Sequence, residues 1–179
     1  FKKFINDDRV KLYETALSSK KGSAKFYQSY QPYEQVSVPS KYDWIKHEDY
    51  IEEKLNNSGS SSLKKGYAHV LDRRIKVQTD RYDAWSLANG IKSVDFVWID
   101  VQGAEKDVII GMGKSIKNIK YIWMEYGERC YEGAMNREET VFFMESLGFI
   151  EDIKFSSQEP QGDILFYNAD AKIYIGEKH

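Results

Sequence analysis

Residues 94–105, Val94-Asp95-Phe96-Val97-Trp98-Ile99-Asp100-Val101-Gln102-Gly103-Ala104-Glu105, run apolar, stop on an acid and turn through a glycine. That is the outline of a buried strand delivering a carboxylate to a site. Phe96, Val97, Trp98, Ile99 and Val101 form a near-continuous apolar segment, the pattern of a parallel strand covered on both faces. A strand is expected over 94–101 with Asp100 at its carboxyl end, the edge at which open α/β sheets collect ligands. Gln102-Gly103 then leads into a helix over 104–112, where Ala104, Val108 and Ile109 follow helical spacing.

Working outward, Val10 to Leu17 alternates as a strand, with Ser23 to Tyr27 as a short antiparallel companion, and Arg74 to Gln78 reads as a further strand. Tyr82 to Asn89 reads as a helix closed by Gly90. Downstream come a strand over Ile119 to Tyr126, a loop over 127–136, and an amphipathic helix over Arg137 to Leu147. In that helix Val141, Met144 and Leu147 repeat every three residues, and Gly148 lies beyond. Phe149 to Phe155 and Asp163 to Tyr167 complete the pattern as an antiparallel pair at one edge. Alternating strands and helices ending in such a hairpin indicate a Rossmann-like α/β domain with a mostly parallel sheet. Residues 28–62 are the least orderly part, with two of the three prolines, a short helix expected over His47 to Leu55, and the polar run Asn56 to Ser62. A long loop between two strands reads as a lid or an acceptor loop.

With 179 residues the chain is long enough for one domain with a real core, read as a single unit over 1–179. Acids number 28 and Lys plus Arg 26, so the net charge of −2 gives no broad attraction for nucleic acid or an anionic membrane. Neither is expected as a partner. The pairs Lys64-Lys65 and Arg73-Arg74 read as solvated faces. A single cysteine, Cys130, excludes an internal disulfide and suits a reducing compartment, so a cytoplasmic location is expected. No apolar run approaches the ~20 residues needed to span a bilayer. Aromatic residues make up 15% of the chain, and many lie in Phe26 to Tyr33 and Tyr42-Asp43-Trp44. They either stack on the faces of a small acceptor or tie down the long loop.

The central stretch, followed by Asp107-Val108-Ile109-Ile110-Gly111, resembles the core motif of the FkbM-type S-adenosylmethionine-dependent methyltransferases. Other pieces fall in that family's order. Ala16-Leu17-Ser18-Ser19 with Gly22 is similar to the segment after its third strand, Gly59-Ser60-Ser61-Ser62-Leu63 to its serine-rich turn, and Tyr82-Asp83 to a usual Leu-Asp pair. Met124-Glu125 resembles the Glu-tipped fifth strand, Tyr131-Glu132-Gly133 a loop motif, Gly148-Phe149 a helix end, and Gly162 to Asn168 the last strand. Arg81 stands at the family's usual cap position, leaving Thr79 or Asp80 to cap the helix. The resemblance implies a Rossmann-like methyltransferase fold and S-adenosylmethionine as cofactor. It places Thr15 and Ala16 near the adenine, with Asp100, Val101 and Gln102 as the other cofactor-binding candidates. No Gly-x-Gly-x-Gly occurs, and the chain begins at Phe1 in what resembles the helix before the third strand. The expectation is therefore the carboxy-terminal portion of a longer chain, with a truncated relative unable to hold the cofactor alone as the alternative, in either case lacking the first strands.

Methyl transfer from a sulfonium is an in-line displacement, so an enzyme must align donor and acceptor and remove a proton from the acceptor oxygen. Alignment is worth about 7 to 11 kcal/mol, and a general base ~10²- to 10⁴-fold. In this topology Asp100 and Glu125 end adjacent strands, so their carboxylates are expected to face one cleft and to raise each other's pKa. Asp100 either serves the site or caps the following helix; Glu105 either serves catalysis or complements the helix dipole. Gly103 either admits a ligand or allows close packing. Asp100, Glu105 and Glu125 also form a possible, though not favoured, oxygen ligand set for a divalent metal. His47 and His69 lack the pattern of a zinc site, and His69 is either a loop residue or a base. The leading expectation is an O-methyltransferase acting on a hydroxyl of a sugar, glycan or related small acceptor. The rival is a non-catalytic binding or assembly module of a larger glycan-modifying protein.

Overall fold

In the computed structural model the described residues are 7–28, 61–66, 73–127 and 131–170. They form an α/β arrangement with two mixed sheets. In the first, β1 (Ala16–Leu17) runs parallel to β3 (Arg73–Asp80), whose other edge takes β2 (Gly22–Gln28) antiparallel. After α1 (Tyr82–Ala88) the second sheet is built from β4 (Val94–Ile99), β5 (Ile119–Gly127), β6 (Phe149–Glu151) and β7 (Gln161–Asn168), in the order β4-β5-β7-β6. Strands β4 and β5 are parallel, while β7 is antiparallel to both β5 and β6. Two helices serve this sheet: α2 (Glu105–Met112), continued by a 3₁₀ segment over Gly113–Asn118, and α3 (Arg137–Ser146).

Period-two burial along β5 and β7 sends Ile122, Met124, Ile164 and Phe166 into one core, where none of the four is exposed. Val108, Ile109 and Met112 of α2 and Met144 of α3 pack into the same cluster, as helical spacing requires. A capping box starts α3: the Asn136 side chain accepts from the Glu139 amide at 2.9 Å, and Glu139 returns the bond to the Asn136 amide at 3.0 Å. No helix among the described residues is long and apolar enough to cross a membrane.

Several expectations change. Only Ala16–Leu17 of the segment 10–17 is strand; Leu12 is 56% exposed, and among the described residues no strand pairs with the backbone before Ala16. The strand over Ser23 to Tyr27 does form, but its partner is β3, not the preceding segment. The edge strand β6 ends at Glu151, where the Asp152 side chain accepts from the Lys154 amide and a short 3₁₀ turn, Ile153–Phe155, replaces the expected extension. Most consequential, β4 is not covered on both faces: Val97 and Ile99 turn to the core, whereas Phe96 and Trp98 are 52% and 70% exposed. Among the described residues β4 pairs only with β5.

Arg81 is the N-cap of α1 and makes no capping bond with its side chain. Asp80 accepts from the Arg81 amide, and Asp83 inside the helix accepts from the Ala84 amide and pairs with Arg81 at 2.5 Å. The Arg81 guanidinium also donates to the Ser19 carbonyl at 2.7 Å, tying the first sheet to the helices. On the other side of that tie, Gly111 lies so close to the Ser18 carbonyl that a Cβ there would collide with backbone. Gly111→Ala is therefore expected to lower stability by about 1 to 3 kcal/mol, read as a lower urea midpoint at unchanged slope.

Candidate active site at the strand tips

The parallel register that sets Ile99 beside Met124 brings the next residues, Asp100 and Glu125, together at the carboxyl ends of β4 and β5. Between them lies Gln102. Its Nε2 donates to Asp100 Oδ1 at 2.6 Å and to Glu125 Oε2 at 2.7 Å, and its Oε1 accepts from the Tyr131 hydroxyl at 2.9 Å. Gln161 Nε2, from β7, donates to the other Glu125 oxygen at 3.2 Å.

The turn that carries Gln102 is strained and clamped. Gln102 has φ 54, making it the one non-glycine residue with positive φ among those described; such a backbone costs about 1 to 3 kcal/mol. Three groups oppose that strain. Ser62, 2% exposed, donates to the carbonyls of Val101 and Gln102 at 3.1 and 2.7 Å. Glu105, 6% exposed, accepts from the amides of Val101 and Gly103, both at 3.1 Å. Tyr131 covers Gly103 (φ 92), where any Cβ would strike the tyrosine side chain. The segment 61–66 is itself laced to its surroundings by backbone bonds, Ser62 to Tyr27 of β2, and Lys65 and Gly66 to residues 131–132.

Burial raises two carboxyls. Glu125 is pushed up to about 7, chiefly by desolvation; the Gln161 amide opposes this, and the neighbouring Asp100 and Glu105 add to it. Burial also lifts the Glu105 carboxyl, against the amide bonds that favour its charged form.

Two hollows flank this turn. The larger, about 450 Å³, is lined by Thr15, Ala16 and Leu17, by Phe26, Leu63 and Tyr82, and by residues 97–101 with Ala104, Val108 and Met112. Its size falls in the ~300 to 1,000 Å³ range of small-molecule sites. Asp100 is its one charged lining residue among those described. The smaller offers only about 10 Å³, room for one water or one hydroxyl. Gln102, Gly103, Glu105, Glu125, Tyr131 and Gln161 line it.

Thr15, Ala16, Asp100 and Val101 thus share the large cavity, whereas Gln102 turns to the small hollow with Glu125. Glu105 reaches that hollow's wall while its Oε1 holds the turn. Ser62 and Tyr131 were visible in the sequence only as parts of short motifs, and Gln161 carried no local signal. Lys64, of the basic pair, forms an ion pair with Asp107 at 2.7 Å, and Ser19 reaches the same carboxylate at 3.0 Å. No group of three or more His, Cys, Asp or Glu among the described residues is placed to hold a metal ion. His47, His69, Cys130, the helix expected over 47–55 and the aromatic residues 30–44 lie outside the described residues.

The family description Methyltransferase FkbM domain matches residues 6–151. A curated relative, 2-O-methyltransferase NoeI of Sinorhizobium fredii (strain NBRC 101917 / NGR234), is 29% identical over 167 residues, covering 90% of this chain and 60% of the relative. The chain therefore spans 60% of the length of that relative. No solved structure matches. The family match runs from before β1 through the larger cavity and the acidic pair to β6, and the chain belongs to the FkbM methyltransferase family.

Proposed function

We propose that the chain is part of an S-adenosylmethionine-dependent O-methyltransferase that acts on a hydroxyl of a sugar, glycan or related small acceptor. The two sheets are read as parts of a Rossmann-like core. One observation carries the proposal: a ligand-sized cavity lined by Asp100 and a hydroxyl-sized hollow lined by Glu125 lie on the two sides of a bridged pair of carboxylates. NoeI, a 2-O-methyltransferase by name, supports transfer to oxygen.

The residues fit the donor. Leu17, Phe26 and Val97 give the large cavity apolar walls for a purine, Thr15 and Ser61 add hydroxyls, and Asp100 supplies negative charge toward a cation. When bound, S-adenosylmethionine supplies an electrophilic methyl group. On the acceptor side, Glu125 takes the hydroxyl proton; with its carboxyl near 7, a large fraction is ionised at neutral pH while remaining basic enough to accept that proton. Gln161 and Gln102 hold its two oxygens.

Calorimetric titration of the full-length protein with S-adenosylmethionine is expected to give saturable heat, and the exposed Trp98 in the cavity wall to report binding by fluorescence. Absence of heat at millimolar donor would reject the enzyme reading in favour of a binding or assembly module.

A further inference from the structure

We propose that Gln102 is the positioning residue of this site, the amide that holds Asp100 and Glu125 at a set separation and keeps one Glu125 oxygen turned to the hydroxyl-sized hollow. The methyl-transfer reading above is needed only for what the proton is used for. The bridge itself rests on geometry.

The amide has one workable orientation. With Nε2 between the carboxylates it donates one hydrogen to each, at 2.6 and 2.7 Å, while Oε1 accepts from the Tyr131 hydroxyl. Flipped, its oxygen would face two carboxylates and deprive each of them of one donor. Glu125 consequently takes an amide N–H on each oxygen, from Gln102 and from Gln161. The backbone beneath supports the same reading. A left-handed glutamine held by a buried serine, a buried glutamate and a tyrosine is an over-determined arrangement, and strain of this kind gathers at working sites.

Among the described residues, the ionisable groups placed beside Glu125 are acids or phenols. Asp100 follows β4, Glu105 opens α2, and Asp163 stands opposite in register on β7. Tyr131 is committed to Gln102, and the Tyr126 hydroxyl donates to the Ser157 and Glu159 carbonyls. No Lys or Arg among the described residues lines the hollow. Gln102 therefore does with neutral N–H groups what a cation would otherwise do, holding two carboxylates close together.

The test is a ¹³C-carboxyl NMR titration of Glu125 in glutamate-labelled full-length protein, alongside Gln102→Asn and Gln102→Gly. Both replacements accept positive φ, and neither spans the gap between the acids. In both, the Glu125 midpoint is expected to rise by about one unit or more, because the charged form loses a donor and gains repulsion. Tyr131→Phe keeps the ring over Gly103, removes the hydroxyl that orients the amide, and is expected to move the midpoint the same way by less. A midpoint unchanged in all three variants would overturn the proposal, whatever their melting temperatures, since a purely structural role alters stability and not this titration. Failure of the methyl-transfer reading would appear separately, as no donor binding in a protein whose Glu125 midpoint still responds to Gln102.

Discussion

Glu125→Gln is expected to lower methyl transfer by ~10²- to 10⁴-fold, the scale of a lost general base, while melting higher than the parent at pH 8. The two effects share one cause. A half-buried carboxyl with a folded pKa of about 7, against the ordinary 4.5, binds its proton more tightly in the folded state. Its contribution to stability is fully present below about pH 4.5 and is lost as the pH rises through 7. At pH 8 the parent holds an ionised carboxylate beside Asp100, whereas glutamine carries no charge there; its NH2 replaces an oxygen that accepts from Gln102 or Gln161, which trims the gain. Screening by solvent around a half-exposed group reduces the gain to about 1 kcal/mol, or ~2 to 4 °C for a domain of this size. Melts at pH 5 and pH 8 check the sign: a clear gain at pH 8 that shrinks toward pH 5. Undiminished turnover in the variant would remove the proposed base.

Glu105→Ala is expected to cost about 2 to 4 kcal/mol of folding stability. Truncation leaves the Val101 and Gly103 amides without their acceptor in a buried turn, and an unsatisfied buried donor costs about 1 to 3 kcal/mol. Glu105→Gln keeps an acceptor oxygen in place and is expected to cost about 1 kcal/mol, with turnover largely retained. Urea unfolding of the pair checks the difference. If Glu105→Gln abolished turnover at full stability, Glu105 would be carrying a proton in the reaction and not only holding the turn.

The adjacency of Asp100 and Glu125 was legible because both end apolar runs, and parallel neighbours align their carboxyl ends; the single cleft expected for them is instead two hollows, Asp100 lining the larger and Glu125 the smaller. Helices α1, α2 and α3 were legible within a residue or two from spacing and closing glycines. What escaped depends on distant chain. The apolar run 96–101 signalled a strand but not its neighbours, so the exposure of Phe96 and Trp98 could not be read from it. Glu105 was read either as a catalytic acid or as a first-turn acid complementing the helix dipole; that it folds back on the amides two and four residues earlier is a short-range pattern that an acid just after a glycine turn could have disclosed. Ser62 lies 39 and 40 residues from the carbonyls it holds, a distance no local signal crosses.

That same lacing of segment 61–66 to the turn at 101–102, to β2 and to residues 131–132 bears on how the chain can be re-engineered. A chimera that imports only one of these pieces from a relative would carry mismatched hydrogen-bond partners into the strained turn. The transplantable unit is the four segments together, and the stability of such hybrids is expected to follow the block rather than any single loop.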